Sequence, residues 1–479
     1  MRVHPTWVLR FLPTLAPEMR VGLFGTNWHP PLAVLWLAES AAVFFTCRLA
    51  SLVAGGSAAQ PHIQWVQASV FGGCVIVAMV AMGLFTRRMR DRMAGIALRV
   101  TVSVIAGGVL AGLLLGFWPL YKFTLAEFFY SILFAWVSLL LVRAIAQRLV
   151  DEDIFKRRVL IYGAGNNAAR LARLRRRSDL RGFKLHGFVP AEDEEVAVQA
   201  DRLVHISGSL REYVQREGID EIVVAMDDRR RNFPLKPLLD CRLAGVPISE
   251  QVTFLERETG KVHLDLLTPS WMIFGGGFRR DGMRVHSERI FDVVASLCLL
   301  TAAMPVILLT ILAIKLEEGL SAPLLYRQRR VGLGGRLFDV FKFRSMRVDA
   351  ERNGKAQWAV ANDNRVTAVG KYLRKLRIDE LPQLFNVLRG EMSFVGPRPE
   401  RPEFVDQLVE TIPYYHERHS VKPGITGWAQ LCYPYGASEQ DAIEKLQYDL
   451  FYVKNHDLVF DMLILLQTVE VILLGKGAR

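Results

Sequence analysis

Four long apolar stretches open the chain, at roughly 31–53, 63–86, 96–117 and 125–142. Each is close to the ~20 residues that a helix needs to cross a bilayer. The connections between them differ in charge. The first, around Gly55 to His62, carries no Lys or Arg, and the third carries only Lys122. The second carries Arg87, Arg88, Arg90 and Arg92, and the fourth stretch is followed by Arg143, Arg148, Lys156, Arg157 and Arg158. Basic residues stay on the cytoplasmic side of a membrane, so the N-terminus and everything beyond residue 143 are expected to be cytoplasmic. Glu39 and Arg48, in or near the first span, read either as interhelix pairing or snorkelling groups or as markers of a pathway.

The pattern then changes to short apolar runs alternating with helical ones, over about 157–270. Arg158 to Gly163 reads as a strand, Gly163-Ala-Gly165-Asn-Asn-Ala168 as a glycine-punctuated turn, and Ala169 to Arg177 as a helix. Phe183 to Val189 and Ile219 to Ala225 read as further strands. This is the opening of a Rossmann-like unit, with a G-x-G-x-x-A glycine pattern. The acid expected at the end of the second strand is represented by Glu192 and Asp193. Two readings stand side by side: a nucleotide-binding or sensing domain, and a Rossmann-shaped spacer whose glycines only make a tight strand–helix turn.

A fifth apolar stretch, Ile290 to Leu316, has basic flanks on both sides: Arg279, Arg280, Arg284 and Arg289 before it, Lys315, Arg327, Arg329 and Arg330 after it. A spanning helix would export one of them. Pro305, near the middle, removes a backbone hydrogen bond and bends a helix. The expectation is a re-entrant helix that turns at Pro305 and returns to the same face; the alternative is a fifth span with a proline kink.

Beyond residue 317 the chain becomes polar, basic and rich in turn residues. Leu381, Leu384, Phe385 and Leu388 mark an amphipathic helix. Asp379 stands where its N-cap belongs, and Pro382 is tolerated in a first turn. An Asp379-Glu380 pair at a helix N-terminus, beside Arg374, Lys375 and Arg377, suits a phosphate. A carboxylate there attacks phosphorus if cations and a metal neutralise the phosphate oxygens; alternatively it is an acidic cap and nothing more. Phe341-Lys342-Phe343-Arg344 would place two cations on one face of a strand. Val395-Gly-Pro-Arg398-Pro-Glu400 is a rigid turn presenting one arginine, whose fork suits phosphate. Val421 to Gln430 is a further glycine-punctuated turn.

Composition narrows the class. Hydrophobic residues make up 51% of the 479, yet 23% are charged and the formal net charge is +12, which implies a membrane part joined to soluble parts. A basic balance fits anionic lipid, phosphorylated substrates or nucleic acid, and charge alone does not choose. The five scattered cysteines have no metal-ligand or disulfide spacing and read as reduced packing residues. No cleavable signal peptide is expected after Arg2, Arg10 or Arg20.

Taken together, Tyr326-Arg-Gln-Arg-Arg-Val-Gly332, Lys342-Phe-Arg-Ser-Met346, Asp379-Glu-Leu-Pro-Gln383, Gly390-Glu-Met-Ser-Phe-Val-Gly-Pro-Arg-Pro399, Lys422-Pro-Gly-Ile-Thr-Gly427, Tyr448-Asp-Leu-Phe-Tyr452 and the C-terminal Gly-Lys-Gly-Ala-Arg479 resemble the bacterial sugar transferase family. These are polyprenyl-phosphate sugar-1-phosphate transferases that start exopolysaccharide, capsule and O-antigen units. The resemblance covers roughly 285–479, and the upstream part resembles the long form of the family. It departs at Glu317-Glu-Gly-Leu-Ser-Ala-Pro, where many members have Ser-x-Gly-Pro.

The resemblance implies a membrane α-helical module (1–150), an α/β Rossmann-like cytoplasmic domain (151–275), a re-entrant membrane helix broken at Pro305 (285–318) and a mainly α-helical catalytic domain (319–479). It implies transfer of a hexose 1-phosphate, glucose or galactose first, from a UDP-sugar to undecaprenyl phosphate, with release of UMP. Asp379 would be the nucleophile and a ligand of Mg2+, with Glu380 assisting through the metal or by activating the lipid phosphate. Arg398 would hold phosphate, supported by Lys342, Arg344 and the Arg377 charge. The implied setting is the bacterial inner membrane, as a homodimer, with no nucleic acid partner. Read from its own residues, the amphipathic stretch His456 to Leu474, with Leu458, Phe460, Met462, Leu463, Leu465 and Leu466 beside Asp461 and Glu470, would lie on the membrane surface or cover a partner. Two rival classes are weaker. A membrane-anchored NAD-dependent dehydratase or epimerase needs a Tyr-x-x-x-Lys, and no tyrosine here has Lys four residues on. A non-catalytic scaffold does not need the intact Asp379-Glu380 and Arg398.

Overall fold

A computed structural model of the chain describes residues 22–23, 26–27, 30–55, 61–85, 93–149, 156–173, 183–228, 232–267, 282–346, 365–433 and 438–473. Arg87, Arg88, Arg90, Arg92, the run from Leu174 to Arg177, Arg279, Arg280 and the tail from Gly475 to Arg479 lie outside the described residues. The chain divides into two bodies, residues 1–157 with 181–184, and residues 158–180 with 185–479.

The first body is built on four helices: α1 (Pro30–Val53), α2 (Pro61–Ala81), α3 (Met93–Gly116) and α4 (Leu125–Leu149). Each is long and apolar enough to cross a membrane. Their shared core holds Val43, Phe71, Val75, Met79, Val104 and Leu139. Gly107 lets α3 approach α2, because a Cβ there would run into the backbone of Val75. Glu39 is fully buried and pairs with Arg143 of α4, at 2.7 Å to Nε and 3.0 Å to Nη2. Arg48 instead bonds Gln64 and lies 4.4 Å over the Trp65 ring. These are the pairings that low dielectric demands of charges within a membrane segment.

The second body begins with a four-stranded sheet in the order β2-β1-β3-β4, where β1 is Arg157–Tyr162, β2 Phe183–Val189, β3 Glu221–Val224 and β4 Ile248–Glu250. β1, β3 and β4 run parallel. Leu160, Ile222 and Val224 are buried against Tyr213 and Val214 of α6 (Leu210–Glu217) and Leu238 and Cys241 of α7 (Leu235–Leu243). The two central strands β1 and β3 carry the buried apolar runs, Val159 to Ile161 and Ile222 to Val224, because parallel strands are covered on both faces. After β1 comes α5 (Asn166–Ala172), and after β4 comes α8 (Gln251–Thr259). The end of α8 docks on the C-terminal region. Glu256 takes Lys454 at 2.7 Å and Asn455 at 3.2 Å, and the Gly260 carbonyl accepts the Trp428 indole N–H at 2.7 Å.

α9 (Gly282–Glu318) is a single helix of 37 residues with Pro305 inside it. The residue expected to separate two segments therefore lies within one continuous helix. A proline removes one i→i−4 bond, and the ladder resumes on either side of it. Both ends of α9 are tied to the same C-terminal region. Near its start, Arg289 donates to the Val387 carbonyl at 2.6 Å, and Asp292 accepts from Ser393 Oγ at 3.0 Å and the Phe394 N–H at 3.2 Å. Near its end, Glu317 accepts the N–H groups of Ala368 and Val369 at 2.7 and 3.1 Å. Between those ties Val294, Leu308, Leu309 and Leu312 are exposed.

The C-terminal region consists of helices with two small sheets. β5 (Leu325–Val331) and β6 (Leu337–Phe343) form an antiparallel hairpin in which Tyr326 faces Lys342. Then follow α10 (Ala368–Lys375), a single 3-10 turn over Ile378–Glu380, and α11 (Gln383–Arg389). β7 (Ser393–Val395) pairs in parallel with β8 (Gly424–Thr426). α12 (Pro402–Thr411), α13 (Trp428–Cys432), α14 (Glu439–Asn455) and α15 (Leu458–Leu473) complete it. Phe460, Ile464 and Leu465 of α15 pack into the same core as Leu384, Val387 and Tyr452, so this apolar helix covers its own domain.

Candidate active site

Asp379 and Glu380 sit side by side in the 3-10 turn between α10 and α11. The helix expected to start at Asp379 starts instead at Gln383, and Asp379 makes no capping bond. The reason lies at Arg377, whose backbone is left-handed at φ 58°. It ends α10 and redirects the chain so that the two acids occupy a turn of their own. A non-glycine residue held there costs about 1–3 kcal/mol and persists where surrounding contacts impose it.

Three cations converge on one oxygen, Glu380 Oε1: Arg398 Nη2 at 3.2 Å, Lys342 Nζ at 3.3 Å and Arg377 Nη1 at 3.4 Å. They come from three elements: the loop after β7, the end of β6, and the turn itself. Burial alone would raise the Glu380 carboxyl, but Arg398, Lys342 and Arg377 overcome it and hold the group well below the ordinary carboxylate range. Lys342 is pulled down by burial, against the attraction of Glu380. Asp379 behaves oppositely. It is only 8% exposed, and burial, reinforced by the Glu380 charge, raises its carboxyl above the ordinary value. Its Oδ1 is buried and accepts no hydrogen bond among the described residues. Neighbours in sequence are thus a charge-saturated carboxylate and one with a buried oxygen that no donor among the described residues reaches.

The site is braced from behind. Asn386, fully buried, accepts the Phe341 N–H at 3.1 Å and donates to the Asp339 carbonyl at 2.7 Å, which ties α11 to β6 beside Lys342. β7 and β8 approach so closely that a Cβ on Gly396 would meet the Lys422 carbonyl and one on Gly424 the backbone of Gly396. Two glycines therefore set the loop that carries Arg398, whose side chain is 38% exposed and open to a ligand.

Of the residues singled out from the sequence, Asp379, Glu380, Lys342, Arg377 and Arg398 are brought together. Arg344 is not part of the Glu380 cluster: its Nε donates to the Pro323 carbonyl at 3.0 Å. β6 ends at Phe343, so the two-residue alternation that would aim Arg344 alongside Lys342 has stopped. Pro305 lies in α9, away from these bonds in the chain. Asn386 lies outside the apolar stripe of its helix, and nothing in its spacing marks a bond to a strand.

The glycine turn after β1 is filled by the protein's own acids. Asp227 accepts the N–H groups of Asn166 and Asn167 at 2.8 and 2.7 Å, and Glu194 accepts those of Ala164 and Asp227 at 2.7 and 3.0 Å. A Cβ on Gly165 would collide with the Asp227 and Glu194 carboxylates. Of the two acids expected near the second strand, Asp193 accepts from Asn232 at 3.0 Å, and the acid in the turn is Glu194.

Comparison with known proteins bears on these residues. The bacterial sugar transferase family model matches residues 283–475. The chain is 43% identical over 242 residues to a UDP-N-acetylgalactosamine-undecaprenyl-phosphate N-acetylgalactosaminephosphotransferase of Aeromonas hydrophila, covering 50% of this chain and 56% of that protein. It is 31% identical over 347 residues to the UDP-glucose:undecaprenyl-phosphate glucose-1-phosphate transferase of Xanthomonas campestris pv. campestris, covering 71% of each. It is 37% identical over 205 residues to an undecaprenyl-phosphate galactose phosphotransferase of Salmonella typhimurium, covering 40% of this chain and 41% of that protein.

Proposed function

Since this chain belongs to the bacterial sugar transferase family, we propose that it moves a sugar 1-phosphate from a UDP-sugar to undecaprenyl phosphate at the cytoplasmic face of a membrane. The observation that carries the reading is the unequal carboxylate pair, with three cations on Glu380 and none bonded to Asp379 Oδ1. A carboxylate oxygen left without a hydrogen-bond partner is a competent nucleophile toward phosphorus once ionised. An Asp379 oxygen attacks the phosphorus that bears the sugar. The bond from that phosphorus to the bridging diphosphate oxygen breaks, and UMP leaves with the electron pair. An oxygen of undecaprenyl phosphate then attacks the same phosphorus, and the Asp379 carboxylate leaves. Arg398, Lys342 and Arg377 stabilise charge on the transferring phosphoryl oxygens in both steps.

Mg2+ fits these residues in one way. Among the described residues no group of three or more His, Cys, Asp or Glu converges, so an all-protein cage is not built. A buried, unpartnered Asp379 Oδ1 suits an ion held by one carboxylate, waters and substrate phosphates. When bound there, the ion supplies charge neutralisation at the diphosphate.

The ties at both ends of α9 to one water-facing region support a helix that enters and leaves on the same face, bent at Pro305. The α/β region is read as a Rossmann-shaped spacer, which the internal carboxylates of Asp227 and Glu194 support. The sugar is expected to be a hexose, glucose or galactose; the Aeromonas relative is named for an N-acetylated one.

The test is a membrane-fraction assay with a panel of UDP-sugars, reading UMP with and without undecaprenyl phosphate. The covalent path requires a stoichiometric burst of UMP before lipid is added, and sugar-phosphate label retained on the protein but absent from Asp379→Asn. Near-normal turnover by Asp379→Asn would sink the reading.

A further inference from the structure

The loop that carries Arg398 is held at every residue. The Gly396 N–H donates to the Thr426 carbonyl at 2.9 Å, and the Pro397 carbonyl accepts from the Gly424 N–H at 3.0 Å. The Arg398 carbonyl accepts from Arg418 Nη2 at 3.0 Å. The Pro399 carbonyl accepts from Arg330 Nη1 at 3.1 Å, and the Glu400 carbonyl from the Val331 N–H at 3.0 Å. Pro397 and Pro399 fix their own φ and have no N–H to satisfy. The β7–β8 backbone accounts for the front of the loop. Two arginine side chains account for much of the back.

Arg418 is the more deeply placed. It is buried in the segment Tyr415–Ser420, and its guanidinium reaches three groups. Nη1 donates to the Tyr415 hydroxyl at 2.8 Å, and Nη2 lies 2.8 Å from Asp449 Oδ2 as well as on the Arg398 carbonyl. Asp449 is buried too. A buried ion pair is seldom more stabilising than an apolar pair of the same volume, so stability alone is a poor account of it. What the pair does that leucines would not is aim a planar fork at one peptide carbonyl. That carbonyl belongs to the residue whose side chain bonds Glu380 at 3.2 Å, a bond with little slack, since hydrogen bonds fade within a few tenths of an ångström beyond this distance.

We propose that Arg418, oriented by Asp449 and Tyr415, is a positioning residue for the transfer: it fixes the Arg398 peptide so that the Arg398 guanidinium meets Glu380 and the donor phosphate. The inference rests on the phosphate-binding role given to Arg398 above. Lysine in place of Arg418 keeps the charge but cannot serve three acceptors from one plane. The loop would relax, and displacements of this order cost about 10- to 100-fold in rate.

The experiment is a double-mutant cycle on the full-length protein in membranes, with Arg398→Lys, Arg418→Lys and the double variant. It reads kcat and KM for the UDP-sugar per folded molecule, with the unfolding midpoint measured in parallel. The expected result is that Arg418→Lys lowers kcat/KM by about 10-fold or more, and that the double variant is no slower than Arg398→Lys alone, because both changes disable the same group. Losses that multiply would overturn the proposal. So would an Arg418→Lys protein with a lowered midpoint and normal kcat/KM, the mark of a structural role. Should Arg418→Lys not reach the membrane, Tyr415→Phe crossed with Arg398→Lys is read in the same way. If Arg398→Lys alone keeps wild-type kcat/KM, the role of Arg398 fails, and this inference with it. A slow Arg398→Lys with multiplying losses removes only the inference.

Discussion

Asp379 and Glu380 are adjacent carboxylates that the fold treats in opposite ways, and the difference predicts a pH effect. Asp379 is raised by burial first and by the Glu380 charge second, while Lys342, Arg377 and Arg374 work to lower it. In the proposed mechanism only the ionised form attacks phosphorus, so UMP release should rise with pH through that raised value. Glu380→Gln removes one cause of the rise and releases Lys342 and Arg377 from their shared acceptor. Both changes favour ionised Asp379, so the ascending limb should move to lower pH. The plateau should fall by about 10²-fold as the cation cluster loses its anchor. A pH profile of UMP release for the two proteins checks this, and a limb moved to higher pH contradicts it. The acidic pair, the nearby cations and the Arg398 turn are all legible in the sequence. Which carboxylate collects the cations is not. It depends on side-chain direction in a single 3-10 turn set by the left-handed backbone of Arg377, and no periodicity encodes that. Arg344 departs from its expected place for a related reason: strand alternation ends one residue before it.

Among the elements, α11 and α9 carry the clearest expectations. α11 is short, and Asn386 is its main polar tie to β6. Asn386→Leu leaves the Phe341 N–H and the Asp339 carbonyl without their partner. Both bonds are only partly buried, so water recovers part of what is lost, and the unfolding midpoint should drop modestly, by up to about 1–3 kcal/mol of stability. Activity per folded molecule should drop too, because β6 carries Lys342. A variant with an unchanged midpoint would show that the tie is dispensable. For α9, a straight helix of 37 residues would run about 55 Å at 1.5 Å per residue, well beyond the ~30 Å core of a bilayer. Its two ends nevertheless bond to the same region, through Arg289 and Asp292 at one end and Glu317 at the other. With the native cysteines replaced, Val285→Cys and Leu320→Cys should both resist an impermeant thiol reagent applied from the periplasmic side. Labelling of Leu320→Cys alone would mean that the helix crosses. The basic flanks and Pro305 raise this geometry as an expectation, but they do not foretell the persistence of helix through the proline, which local backbone bonding decides.

At the scale of the whole molecule, the division into a helical membrane part, an α/β region and a polar C-terminal region follows from hydrophobic period alone: long runs, then short buried strands, then mixed pattern. What period does not reveal is whether a glycine turn holds a ligand or itself. The spacer reading rests on Glu194 and Asp227, both far from that turn in sequence, whose carboxylates take the N–H groups of Ala164, Asn166 and Asn167. These are the groups that a pyrophosphate would need. A dinucleotide would have to displace both carboxylates, at about 1.5–3 kcal/mol for each hydrogen bond to a charged group, and then sit against their charge. NAD and NADPH should therefore leave the unfolding midpoint of the full-length protein unchanged. A ligand at ~100 times its Kd would add about 2.7 kcal/mol, an effect easily seen. Hydrogen exchange locates the same expectation. The amides of Ala164, Asn166 and Asn167 should be protected without ligand, unaffected by dinucleotide, and exposed to exchange in Asp227→Asn combined with Glu194→Gln. Saturable stabilisation by a dinucleotide, or amides that gain protection only when one is added, would show that the carboxylates are a gate rather than a filling, and the α/β region would have to be read as a nucleotide sensor joined through α8 to the catalytic region.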